Sequence, residues 1–139
     1  MLQTDDRLKP ISFWGCFFMV LGHVTELFTG RKLTPGIILK VYAEAVCAGI
    51  INVNCHVYKP EKLIPLIGRE LGFILSIDTW YQWPDEVEPR REYDYYSEMR
   101  HTTGNTDHFL MPDYNPDPTI KVTGLVSKRF YKLKGKIAL

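Results

Sequence analysis

The stretch from Cys16 to Thr29 constrains this chain more than any other part of it. Phe17, Phe18, Met19, Val20, Leu21, Val24, Leu27 and Phe28 make it apolar on nearly every side. A helix with one apolar stripe can lie on a surface, whereas a helix that is apolar all round has to be buried. Gly30 supplies a natural C′ residue after it, and Gly15 supplies a turn that feeds directly into Cys16. The rest of the chain must therefore wrap around this element.

The 139 residues are enough for one domain with a proper core. A second helix is signalled by Thr34 as N-cap and Pro35 at the first helical position, with Ile37, Ile38, Val41, Tyr42, Ala45 and Val46 at helical spacing and Gly49 closing it. A short extended piece from Val53 to Tyr58 follows. Pro60 opens a third helix whose buried face is Leu63, Ile64, Ile67 and Leu71; Gly72 ends it, and Pro65 makes its first turn irregular. The second half reads as strands: Phe73 to Trp83, Glu92 to His101 (or a short helix there), His108 to Met111, Thr119 to Val122, and Ser127 to Leu133. Pro84 to Arg91 reads as a mobile surface loop. Helices first and strands second predict an α+β fold, residues 1–139 forming a single domain.

With 17 basic and 16 acidic residues the net charge is near +1, which argues against nucleic acid or a membrane as a partner held by bulk charge. Cys16, Cys47 and Cys55 form an odd set without a C-x-x-C pair, so neither a zinc site nor a disulfide framework is expected, and reduced thiols in the cytoplasm are the simplest reading. Met1 to Lys9 carries acidic residues where a signal peptide needs basic ones, and the apolar run Ile11 to Gly22 is too short to span a bilayer.

Cys16 is the first residue with a chemical reading. A thiol at a helix N-terminus faces unpaired N–H groups and the positive end of the dipole, and both favour the reactive thiolate. The same N–H groups suit a developing oxyanion. A buried structural cysteine is the alternative. His108 heads an apolar strand after the Gly104-Asn105-Thr106 turn, and an imidazole is the base that such a nucleophile needs. Pro112-Asp113-Tyr114-Asn115-Pro116-Asp117-Pro118 then offers Asp113, Asn115 and Asp117 to orient the ring. A tight turn around Tyr114 and Asn115 would return Asp117 to His108.

Gln3-Thr4-Asp5-Asp6-Arg7, then Gly15-Cys16 opening an apolar helix, then a His-Phe strand and an Asp-Pro segment resemble the papain-like superfamily, in particular its small bacterial and phage peptidases. The closing Gly124-Leu125-Val126-Ser127-Lys128-Arg129-Phe130-Tyr131 also resembles a small uncharacterised family of spirochaetes and phages. The resemblance implies a papain-like domain with its helices packed on a small antiparallel sheet. It implies Cys16 as nucleophile, His108 as base, Asp117 as orienter and Gln3 as an oxyanion donor, without a cofactor or metal.

The function expected is a cysteine hydrolase, a peptidase or amidase, acting on a peptide or protein. Phe17-Phe18-Met19 stand where that superfamily carries small residues, which founds an alternative: an inactive binding module of phage or mobile-element origin that grips a host protein. The acidic stretch Glu86 to Glu98, interleaved with Arg90, Arg91 and Arg100, reads as a solvated face, and the acidic and aromatic segment from Trp80 to Arg100 would be that module's docking surface. Lys128 to Lys136 reads as an edge strand guarded by lysines, or less directly as a contact for an anionic polymer. Trp80, Tyr81 and Trp83 suit core packing better than a substrate groove. His23 with Glu26, and Cys55 with His56, lack the partners of a metal site.

Overall fold

The computed structural model describes residues 16–53, 56–83, 93, 95–103 and 107–138, with the backbone alone for Cys16, Tyr81 and Trp83. Its order is α1 (Cys16–Thr29), α2 (Pro35–Cys47), α3 (Pro60–Glu70), β1 (Phe73–Trp83), β2 (Tyr95–Thr102), β3 (Asp107–Leu110) and β4 (Val122–Ile137). The strands form one antiparallel sheet in the order β1-β4-β2-β3. The α+β class expected of the sequence is the class observed.

Local chemistry sets the helix ends. Thr34 Oγ1 accepts the Ile37 N–H at 3.2 Å with Pro35 beside it, and the chain leaves α1 through Gly30 at a φ of 71°. Gly72 ends α3 in the same left-handed region, at 80°. Pro65 lies inside α3, beyond the first turn where the sequence placed its irregularity, and the helix continues through it to Glu70. The segment read as extended from Val53 folds back instead: Ile51 and Val57 make an antiparallel bridge, and Asn52 Oδ1 accepts the His56 N–H at 2.9 Å.

Helix α1 packs against α3 and β3, α2 against α3, and α3 against β1. Phe18, Val20, Leu21 and Val24 are buried with Leu63, Ile64 and Ile67 of α3 and with Leu75, Tyr131 and Leu133 of the sheet. Burial of α1 stops at Leu27, which is 42% exposed. Its buried Thr25 hydroxyl donates to the Leu21 carbonyl at 2.9 Å, so no polar group is stranded.

Two strand readings change. Ser127 to Leu133 and, of the segment Thr119 to Val122, only Val122 lie in one sixteen-residue strand that runs past Gly124. That strand is also no edge: β4 lies between β1 and β2. Alternation turns Ser127, Arg129, Tyr131 and Leu133 toward the helices and Lys128, Lys132, Lys134 and Lys136 away. The glycine near its end marks close approach rather than a turn. A Cβ on Gly135 would lie 2.2 Å from Leu75 Cδ2 and 2.6 Å from the Ile74 carbonyl oxygen. Gly135→Ala is therefore expected to destabilise the protein by about 1–3 kcal/mol. Denaturant unfolding checks this, and an unchanged midpoint would refute the register of β1 on β4.

Candidate active site

Strand β3 ends in a two-residue turn. The Met111 N–H donates to the Tyr114 carbonyl at 2.8 Å and the Tyr114 N–H to the Met111 carbonyl at 3.1 Å, with Pro112 and Asp113 between them. Pro116 and Pro118 carry no N–H, so the returning chain cannot extend the ladder. It closes on a side chain instead. Asn115 Oδ1 accepts the Asp117 backbone N–H at 3.1 Å and lies 2.7 Å from His108 Nε2.

This pairing fixes the imidazole. A backbone N–H can only donate, so the atom facing Asp117 must be the amide oxygen, and His108 Nε2 must be the donor to it. In the neutral ring the lone pair then sits on Nδ1. His108 is 1% exposed, and its Nδ1 has no hydrogen-bond partner among the described residues. An imidazole held at one nitrogen and open at the other is arranged to take a proton.

The partner of His108 is thus Asn115, and the Asp117 role implied by the resemblance is corrected. The turn falls at Pro112-Asp113, ahead of the expected Tyr114-Asn115, so Asn115 is the residue that reaches the ring. The Asp117 carboxylate accepts from the Thr119 N–H at 3.1 Å and from its hydroxyl. Asp113 pairs elsewhere, as shown below. Gln3, Cys55, the Gly104-Asn105-Thr106 turn and the Pro84 to Arg91 loop lie outside the described residues.

Helix α1 runs beside β3 in the same direction. Near its head the Phe17 ring lies 4.7 Å from that of Phe109. Two turns on, His23 Nε2 lies 3.1 Å from Asp113 Oδ2, and the His23 ring stacks on Tyr114 at 4.3 Å. The first residue of α1, Cys16, consequently lies level with His108 along the strand. Phe109 and Met111 face the helical core, so alternation turns His108 to the other side of β3. Because β3 ends the sheet, a group from the head of α1 would meet Nδ1 around that strand's edge.

His23 is also 3.4 Å from Glu26, whose other carboxylate oxygen accepts the Leu33 N–H at 2.7 Å. The sequence showed the His23–Glu26 spacing but hid Asp113, ninety residues away. The three tie α1 to the turn that carries Asn115. Among the described residues no cluster of His, Cys, Asp and Glu is arranged to hold a metal ion.

A second polar group lies on the helix-facing side of the sheet. Arg129 Nη2 donates to Gln82 Oε1 at 2.7 Å, Gln82 Nε2 donates to Ser127 Oγ at 3.1 Å, and Ser97 Oγ is 2.9 Å from the Tyr131 hydroxyl. Sequence reasoning placed Arg129 in a basic tail; only the alternation of β4 separates it from the lysines around it. Burial pushes the Tyr131 hydroxyl up to about 12, against the opposing pull of Ser97 and Arg129.

Helices packed on an antiparallel sheet, with a buried histidine–asparagine pair level with the head of α1, define an α+β protein carrying a candidate imidazole site. The chain belongs to a protein family of unknown function, DUF261, whose profile matches residues 1–132. Comparison with curated proteins found no match, and comparison with solved structures found none. Among the described residues no helix is long and apolar enough to cross a membrane.

The Tyr131 hydroxyl gives a pH signature. Its folded pKa of about 12 exceeds the ordinary 10.0, so its contribution is whole below about pH 10 and is lost as pH rises toward 12. Tyr131→Phe should remove this alkaline component, while costing about 0.5–1.5 kcal/mol at neutral pH through the lost Ser97 bond. Melting temperatures of both proteins at neutral pH and at pH ~11 test it; parallel losses in the two would refute the assignment.

Proposed function

We propose that this protein is a cysteine hydrolase that cleaves a peptide or amide bond, with Cys16 as nucleophile, His108 as base and Asn115 as the group that orients the ring. The observation that carries the reading is the buried His108, tied at Nε2 to Asn115 and with no Nδ1 partner among the described residues. A cysteine, histidine and side-chain amide in these roles make up the arrangement of papain-like proteases. The sequence resemblance points the same way.

In this reading the Cys16 thiol gives its proton to His108 Nδ1, and the thiolate attacks the carbonyl carbon. The unpaired N–H groups of the first turn of α1 stabilise the oxyanion. The C–N bond breaks as the imidazolium protonates the leaving amine. Water, deprotonated by His108, then attacks the thioester carbonyl, and the acid leaves with the thiol restored. A thiol nucleophile works in its reduced state, which suits a cytoplasmic site of action.

A second reading, a non-catalytic module that binds a protein, draws on one observation. Phe109 packs on Phe17, which by strand alternation leaves His108 on the opposite side of β3.

Site-resolved alkylation by iodoacetamide at neutral pH separates the two. Hydrolase chemistry predicts that Cys16 reacts at least about tenfold faster than Cys47 and Cys55, because each unit by which a thiol pKa falls multiplies the thiolate about tenfold. His108→Ala should abolish the excess and Asn115→Ala should cut it about tenfold, the worth of one lost orienting hydrogen bond. Asp117→Ala should leave it standing. Equal, slow labelling of all three cysteines overturns the hydrolase reading and leaves the binding module.

A further inference from the structure

The geometry points to Arg129 as a carboxylate-binding group of the same site, so that the substrate is a peptide with a carboxylate close to the bond that is cut. This rests on the hydrolase reading and names the substrate class for it.

Arg129 projects from β4, opposite Gln82 of β1 and Ser97 of β2, toward the helices. Its guanidinium carbon lies 4.8 Å from the centre of the Phe17 ring and 4.5 Å from that of Trp80. Phe17 follows Cys16 directly, so the cation stands beside the head of α1. Two aromatic contacts and the bond to Gln82 Oε1 hold the planar group in one place.

Among the described residues this cation lacks a counter-charge. Arg69 pairs with Glu44 and Glu70, and Arg100 with Glu98. No Asp or Glu among the described residues lies within ion-pair distance of Arg129. Its neighbours, Gln82 and the Tyr131 hydroxyl, are neutral. A half-buried charge without a partner is unfavourable, and structures normally pair it. A guanidinium has five donors, and Gln82 and Tyr131 leave enough of the fork for a two-pronged bond to a planar carboxylate. Lysine in this place would offer charge without the fork.

Two small reagents of nearly equal size test this without a known substrate. Iodoacetate carries a carboxylate one carbon from its reacting carbon, and iodoacetamide carries a neutral amide there. The ratio of their rates at Cys16 cancels the thiolate fraction, and the ratio at exposed Cys47 serves as internal control. Relative to Cys47, Cys16 should favour iodoacetate, and Arg129→Gln should lower that preference about tenfold, the size of one charge-assisted contact. Arg129→Lys should fall between. Circular dichroism confirms that both variants fold.

Labelling of Cys16 by iodoacetamide with a ratio indifferent to Arg129→Gln overturns the inference and leaves the hydrolase reading intact. If neither reagent labels Cys16, that reading fails, and a second measurement judges the carboxylate site alone. In it, acetate should shift the Arg129 Nε–H resonance of the whole protein saturably, while acetamide should not. An unmoved resonance would mean that Arg129 serves packing only.

Discussion

Helix α1 has no side it can give wholly to water, and the placement of everything else follows from covering it. Phe17, Phe18, Val20, Leu21 and Val24 point around most of its circumference, and all are buried. One helix cannot cover another on every side, so α3 takes part of the surface and β3 with its turn takes another. The polar residues on α1 are fitted to this burial. Thr25 returns its hydrogen bond to the helix, and Glu26 holds the Leu33 N–H in the link to α2. His23 reaches Asp113 in the turn after β3. The same apolar demand that buries the helix thereby fixes the turn from which Asn115 reaches His108.

The choice of an amide at Asn115 has chemical consequences. A carboxylate there would favour the imidazolium and hold its proton more tightly. The amide orients the ring and sets its tautomer without adding a charge. The amide is itself oriented by the Asp117 backbone N–H, and the Asp117 carboxylate is occupied with Thr119. Asn115 and Asp117 therefore divide the work: one aims the ring, and the other shapes the turn that aims the first.

The helices were legible because their signals are local. Thr34-Pro35, Gly30, Gly49 and Gly72 punctuate the chain by backbone geometry alone, and the apolar spacing between them does the rest. Strand β1 was legible for the same reason, through its aromatic and β-branched run. What the sequence concealed is what depends on distant partners. Gly124 looks like a turn because glycine usually marks one, but pairing of β4 with β1 and β2 on its two sides carries the strand past it. Arg129 looks like one of a basic tail until alternation assigns it to the inner face. Asp113, Asn115 and Asp117 were all candidates, and a turn expected at Tyr114-Asn115 favoured Asp117; the turn observed at Pro112-Asp113, beside α1, brings Asn115 to the ring instead.

The bulk of Phe17 and Phe18 was the sequence feature least in keeping with a cysteine nucleophile, and the structure gives each ring a separate task. Phe18 is 2% exposed and belongs to the core that anchors α1. Phe17 is a hinge point between elements: its ring lies on Phe109 of β3 and under the guanidinium of Arg129 of β4. A small residue at that position would leave the head of α1 unsupported from the sheet and would free Arg129 from one of its two aromatic contacts. Bulk after the cysteine therefore need not close a site. Here it joins the head of the helix to the strand that bears the imidazole and to the one cation of the inner face that has no acidic partner among the described residues. On the proposed reading, a ring that holds the nucleophile's helix and the carboxylate-binding cation in fixed relation does for geometry what small residues do elsewhere by making room.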